Sequence, residues 1–237
     1  MSRGLGDVYK RQIPYFECLE EFSRIIGLSI KLIYLLTNKT ESYYSFKEIP
    51  KKNGTKRIIA IPSYTLKITQ RWILKNILNK IRPSDYAMAF RKSSNNNKFD
   101  IKKNAYYHSD SLYGLSIDLS DFFPSINAAK VYRIFKGIGY NNTASAILTN
   151  LCTLENKLPQ GAVCSPALSN LICMRLDRRL FGLCAKRGVL YTRYADDMYF
   201  SCDNKGLLLK MFPIIEKIIK SEGFIINQET PLSYAQK

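Results

Sequence analysis

The chain has 237 residues, 46% of them hydrophobic and 23% charged, with 36 Lys and Arg against 19 Asp and Glu for a formal net charge of +17. That length and apolar content suffice for one large domain or two small ones with a real core, and 12 Gly with 9 Pro exclude a collagen-like chain and wholesale disorder. The basic surplus predicts a polyanionic partner, with nucleic acid ahead of a ribosome-associated role, a membrane surface or a merely solvated basic face.

Residues 1–12 show no periodicity and are set aside as an uncertain, artefactual start. Over residues 14–39, Phe16, Leu19, Phe22, Ile25, Ile26, Ile30, Ile33, Tyr34 and Leu35 recur at helical spacing, and Gly27 with Leu28-Ser29 divides them into two short helices. Two strand patterns follow at 43–49 and 57–61, and the Asn53-Gly54 between them signals a hairpin. Residues 65–81 predict a basic amphipathic helix, with Leu66, Ile73, Ile77 and Ile81 inward and Lys67, Arg71, Lys75 and Lys80 outward. Residues 82–103, rich in Ser, Asn and Lys, read as a loop or insertion.

A strand at 112–119 leads into Asp121-Phe122-Phe123-Pro124, and helical patterns cover 127–152. After the turn Leu158-Pro159-Gln160-Gly161, Ser165-Pro166 reads as an N-cap with proline in the first turn. The helix it opens carries Leu168, Ile172, Leu176, Leu180 and Leu183 on one face and stops near Gly188. Strands at 189–194 and 198–202 flank Ala195-Asp196-Asp197, and a helix at 205–221 and a strand at 224–227 follow. Helices and a hairpin first, then a mixed part from about residue 105, make an α+β chain.

The only histidine, His108, nearly excludes His-dyad chemistry and reads as a structural hydrogen-bonder. The six cysteines form no CxxC pair and lie among apolar neighbours, so buried reduced thiols are expected instead of a disulfide framework or zinc site. No apolar run approaches the roughly 18 residues of a membrane span. The expectation is a cytoplasmic protein with no membrane partner.

Three aspartates carry the chemistry. Asp118 ends a β-rich run, and Asp196 and Asp197 occupy a hairpin tip among aromatics. On the dipeptide alone, Asp-Asp is a plain surface turn. Adjacent acids repel, however, and a carboxylate at a strand end beside an acidic hairpin suits Mg²⁺, which takes hard oxygen ligands from one or two carboxylates plus substrate phosphates. Two such ions about 4 Å apart serve in-line phosphoryl transfer.

Tyr194-Ala195-Asp196-Asp197 resembles the YxDD box of reverse transcriptases, and four further segments resemble that family in the same order. Residues 46–57 look like the fingers hairpin. SIDLSDFFPSI at 116–126 looks like the motif with the first catalytic aspartate. LPQGAVCSPALSN at 158–170 is similar to the LPQGxxxSPxxxN motif, and GFIIN at 223–227 to the next palm strand. Asn104-Ala105-Tyr106-Tyr107-His108 fits the NAxxH motif of bacterial retron enzymes, although group II intron and abortive-infection enzymes share much of the palm.

The resemblance implies fingers (13–104, with the N-terminal helices) and a palm (105–237) built as a ferredoxin-like antiparallel sheet on helices, with the thumb missing downstream. It implies RNA-directed DNA synthesis on a primer, with dNTPs as substrates, Mg²⁺ as two ions and Mn²⁺ as the alternative. Further partners it implies are a cognate structured RNA and a retron effector protein in antiphage defence. Asp118, Asp196 and Asp197 would be catalytic metal ligands, with Leu119 adding its backbone. Lys51 and Arg57 would contact the triphosphate, Asp121 and Phe122 would line it, and Gln160 would lie near the sugar. Phe123 would act as a steric gate against ribonucleotides, though by position alone it is equally a core aromatic. Lys67, Arg71, Lys75, Arg91 and Lys92 are candidates for template contact. Two departures stand out: Glu229 replaces the lysine the family often carries, and Ala87-Met88-Ala89-Phe90 replaces Ala-His-Gly-Phe. A catalytically idle RNA-binding module is the other class to be weighed.

Overall fold

The computed structural model describes residues 13–50, 54, 56–91, 99–227 and 233–236. In chain order the elements are α1 (Leu19–Ile26), α2 (Ile30–Asn38), β1 (Tyr44–Pro50), β2 (Lys56–Pro62), α3 (Tyr64–Asn76), α4 (Ile101–Tyr107), β3 (Tyr113–Asp118), α5 (Ala128–Ile138), α6 (Asn142–Cys152), α7 (Ser165–Ile172), α8 (Met174–Ala185), β4 (Leu190–Tyr194), β5 (Asp197–Cys202), α9 (Lys205–Ser221) and β6 (Ser233–Gln236). They form two units. One comprises Met1–Arg82 and Phe123–Ile172, the other Pro83–Phe122 and Cys173–Lys237. The chain therefore passes between units at three places instead of once near residue 104, because α6 packs on α2 and α3.

In the first unit, Gly27 closes α1 in the left-handed conformation (φ 73°), and Ser29 caps α2 by accepting from Leu32 N. Phe22, Ile33 and Leu36 are buried, but Ile25, Ile30 and Tyr34 face solvent. Two short helices can seat only one stripe each, so these three apolar residues fall outside it. Phe16 stacks on Phe22 at 4.6 Å between ring centroids, and Trp72 meets Phe22 edge-on at 5.6 Å. β1 and β2 pair antiparallel from Tyr44↔Pro62 to Pro50↔Lys56, while most of the turn between them lies outside the described residues. The predicted helix over 65–81 stops at Asn76, whose side-chain amide donates to the Trp72 carbonyl (2.9 Å), and a 3₁₀ turn at Leu78–Lys80 follows.

Buried Gln70 ties this unit together. Its amide nitrogen donates to Tyr44 Oη and the Leu151 carbonyl, both at 2.8 Å, and its oxygen accepts from Val163 N at 3.1 Å. Asn127 and Asn141 cap α5 and α6. Ser165 is the first residue of α7 instead of its cap. Its hydroxyl donates to the Pro159 carbonyl at 2.7 Å, and the Cys164 carbonyl accepts the first helical bond from Leu168 N.

The second unit holds an antiparallel sheet of order β4-β5-β3-β6. Alternation along β3 sends Leu115 and Ile117 to one face, opposite Phe200 and Met198 of β5, and α9 covers that face. The long helix expected after Ser165 is two helices, broken at Cys173, where ψ opens to −4°. Residues 86–89, expected as loop, run along the outer edge of β4. Met88 N donates to the Arg193 carbonyl (2.7 Å) and Arg193 N to the Tyr86 carbonyl (2.8 Å), with Ala87, Met88 and Ala89 buried. The strand expected at 224–227 is a single bridge, Leu119↔Ile226, placed beyond the end of β3. β6, paired to β3 from Tyr113↔Gln236 to Ser116↔Ser233, was not anticipated. The cysteines are unbridged, and no helix of the described residues is long and apolar enough to cross a membrane.

Candidate active site

Pairing of β3 with β5 sets Asp118 directly opposite Asp197 on the face of the sheet turned away from Leu115 and Ile117. Asp196 sits in the two-residue turn between β4 and β5, and its carbonyl accepts from Leu119 N at 3.2 Å. All three acids thus lie at the same end of the sheet. The Asp197 carboxyl is pushed up to about 6, first by partial loss of hydration and then by the charges of Asp196 and Asp118. Asp118 is oriented by Asn227, whose Nδ2 donates to its Oδ2 (2.8 Å) while Asn227 N donates to the Asp118 carbonyl (2.8 Å).

The donor set is hard oxygen, which fits Mg²⁺ or Mn²⁺. Among the described residues no three or more His, Cys, Asp or Glu side chains are grouped so that they could hold an ion by themselves. An open arrangement suits Mg²⁺, which is usually held by one or two carboxylates together with substrate phosphates and water.

Beneath the hairpin lies a polar cluster that the sequence reading missed. Arg193 Nε and Nη2 donate to the two oxygens of Asp177 at 2.8 and 2.9 Å, Tyr191 Oη donates to Asp177 Oδ1 at 2.8 Å, and Arg193 Nη1 donates to the Ala195 carbonyl at 3.0 Å. Arg193 and Asp177 are 0% exposed. Burial pulls the guanidinium down, but the Asp177 charge holds it above its ordinary value and therefore protonated. The signal for this pair was present: Asp177 interrupts an apolar stripe formed by Cys173, at the N-cap of α8, and by Leu180 and Cys184 within it. On the opposite face of the sheet, His108 bridges Thr192 Oγ1 and Ser201 Oγ at 2.7 Å each.

A family model described as reverse transcriptase (RNA-dependent DNA polymerase) matches residues 49–229. The chain belongs to the reverse transcriptase family. The chain is 39% identical over 219 residues to Retron Ec86 reverse transcriptase of Escherichia coli, a match covering 92% of this chain and 67% of that protein. It is 31% identical over 240 residues to Retron Mx65 reverse transcriptase of Myxococcus xanthus, covering 92% and 55% respectively. With Retron Ec73 reverse transcriptase of Escherichia coli the identity is 33% over 196 residues, covering 76% and 60%. The chain thus spans 55–67% of the length of these curated relatives, and it groups with the bacterial retron-type enzymes, which are RNA-directed DNA polymerases.

The remaining expected site residues divide by unit. In the second, Asp121 is exposed at φ 45°, and Phe122 is buried and stacks on Phe224 at 5.8 Å. In the first, Arg57 is exposed on β2, Phe123 is half-buried, and the Gln160 carbonyl accepts from Ala60 N at 2.8 Å. Gly161, at φ 114°, lies against the same strand; a Cβ there would stand 2.5 Å from the Ala60 carbonyl oxygen. Lys51, Lys92 and Glu229 lie outside the described residues. Arg71 and Lys75 are exposed on α3, and Lys67 is half-buried. Arg91 does not fit the expected role of a phosphate-tracking surface cation. It is largely buried, donates to the Ser84 and Ala87 carbonyls, pairs with Asp85 at 3.8 Å and lies 3.8 Å over the Phe99 ring.

Proposed function

We propose that this chain adds dNTPs to a primer on an RNA template, with Asp118, Asp196 and Asp197 holding two divalent cations and the Leu119 backbone assisting. The observation that carries this reading is the register of β3 and β5, which sets a strand-end acid opposite an acidic hairpin. The bound ions would lower the pKa of the primer hydroxyl and neutralise charge on the pyrophosphate leaving group. Asn227 would keep Asp118 in one rotamer, so that its carboxylate stays directed at the ions. Arg57, with Lys51, would bind the triphosphate, since a planar guanidinium and a mobile ammonium match its oxygens.

Asp121 and Phe122 would offer backbone amides to the same phosphates. Phe123 would exclude a 2′-hydroxyl by its ring, and Gln160 would lie near the sugar. Lys67, Arg71, Lys75 and Lys92 would track template phosphates, each adding to the salt dependence of binding. In these terms the hairpin unit corresponds to the fingers and the four-stranded unit to the palm of a right-hand polymerase. As the likeness to retron enzymes implies, the template would be a cognate structured RNA, the product a multicopy single-stranded DNA, the setting the bacterial cytoplasm, and the role antiphage defence with an effector protein.

The test is Mg²⁺-dependent dNTP incorporation on a primed RNA template, by this chain and by the reading frame that contains it. Asp196→Asn/Asp197→Asn is expected to lower the rate by about 10³-fold or more, as several kcal/mol of charge stabilisation are lost. Retained RNA binding with no incorporation by either form would replace this reading with that of an idle RNA-binding module.

A further inference from the structure

The buried pair of Asp177 and Arg193 does more than fill space under the sheet. Apolar residues of like volume often replace such a pair with no loss of stability, so stability alone does not account for it. What an apolar pair cannot supply is the bond from Arg193 Nη1 to the Ala195 carbonyl, 3.0 Å long. Ala195 stands at φ 60°, a left-handed conformation that any residue with a Cβ disfavours. It directly precedes Asp196, whose carbonyl is in turn bonded to Leu119 N. The turn is therefore pinned on one side by Arg193 and on the other by the end of β3. Arg193 itself has little latitude: Asp177 grips its fork at two points, and its backbone is bonded on both sides to residues 86 and 88.

We infer that Arg193, aimed by Asp177, is a positioning residue that holds Ala195 left-handed and so places Asp196 and Asp197 for binding divalent cations. The inference rests on the reading of those acids as cation ligands. Lysine keeps the charge but lacks the fork that grips Asp177 and reaches Ala195 together.

The experiment titrates the full chain with Mn²⁺, following the free ion by electron paramagnetic resonance, beside thermal unfolding and the Mg²⁺ concentration for half-maximal incorporation. Arg193→Met/Asp177→Leu is expected to unfold near the parent temperature yet bind Mn²⁺ about 10-fold or more weakly, the size of effect typical when a partner behind a metal ligand is lost. Arg193→Lys should show the same loss. Adding Ala195→Gly to Arg193→Lys should recover part of it, because glycine adopts φ 60° without steric penalty; an ion pair that served only stability would not respond. Parental Mn²⁺ affinity in the folded Met/Leu variant, or no recovery with Ala195→Gly, overturns the inference. If the Met/Leu variant fails to fold, the two lysine variants decide alone. Asp197→Asn separates the two layers. Undiminished Mn²⁺ binding in that variant sinks the ligand reading, whereas loss there with full binding in the Arg193 variants sinks only the role of Arg193.

Discussion

The β1–β2 hairpin and the β4–β5 hairpin share antiparallel pairing and a short connection, yet solvent reaches nearly every residue of the first and few of the second. β1 buries only Tyr44, and β2 only Ala60 and Pro62, leaving Phe46 and Ile58 each 59% exposed. β4 buries Tyr191, Thr192 and Arg193 in succession, so both of its faces are covered. In the proposed reading the exposed hairpin suits side chains that adapt to a ligand, such as Arg57. The buried one suits carboxylates whose spacing must not drift, because a misplacement of about 1 Å at a reacting centre can reduce a rate about 100-fold. On that reading one motif serves two purposes, and burial decides which.

The sharpest way to break this contrast is to remove one partner of the ion pair. Asp177→Ala removes the buried counter-charge of Arg193, and a loss of about 3–5 kcal/mol is expected in urea unfolding. Next comes pH. Burial lowers the His108 imidazole from 6.5 to about 4, so the unfolded chain takes up a proton before the folded one does. Stability from the neutral ring is complete above about pH 6.5 and declines as pH falls to about 4, by about 3 kcal/mol at most. His108→Gln should flatten that part of a stability–pH profile.

A smaller effect is expected where the exposed hairpin is anchored. Gly161→Ala combines a left-handed φ with a close approach to Ala60 O and should lower stability by about 2 kcal/mol, read as a lower thermal midpoint. Ile58→Thr, out on the exposed hairpin, should change the midpoint by less than about 0.5 kcal/mol equivalent. A larger shift there would mean that Ile58 is covered in solution, and the contrast between the hairpins would fail.

Local chemistry made much of this legible in the sequence. Gly27 ended a helix, the Asn53-Gly54 signal announced a pair of strands, and the helical pattern over 127–152 held two helices. The three aspartates were visible because acids at strand ends and turns break an apolar pattern. What stayed hidden depended on partners far along the chain. Arg193 sits between Tyr191 and Ala195 on the inward face of a strand, and only the arrival of α8 shows that Asp177 neutralises it. Residues 86–89 look like loop because their hydrogen bonds go to β4, about a hundred positions later. Arg91 reads as a surface cation until Phe99 and Asp85 close over it.

That segment has a bearing on how the protein survives in a crowded solution. β4 is the terminal strand of its sheet, and a terminal strand offers a row of unsatisfied amides and carbonyls on which strands from other molecules can polymerise. Here the middle of that row is already taken: Tyr86 and Met88 bond to Arg193 from the outside and bring the buried Ala87 and Ala89 with them. The stretch that composition marks as mere connection therefore works as a guard rail against aggregation, and changes that pry it loose, such as proline at position 88, would be felt as loss of soluble yield.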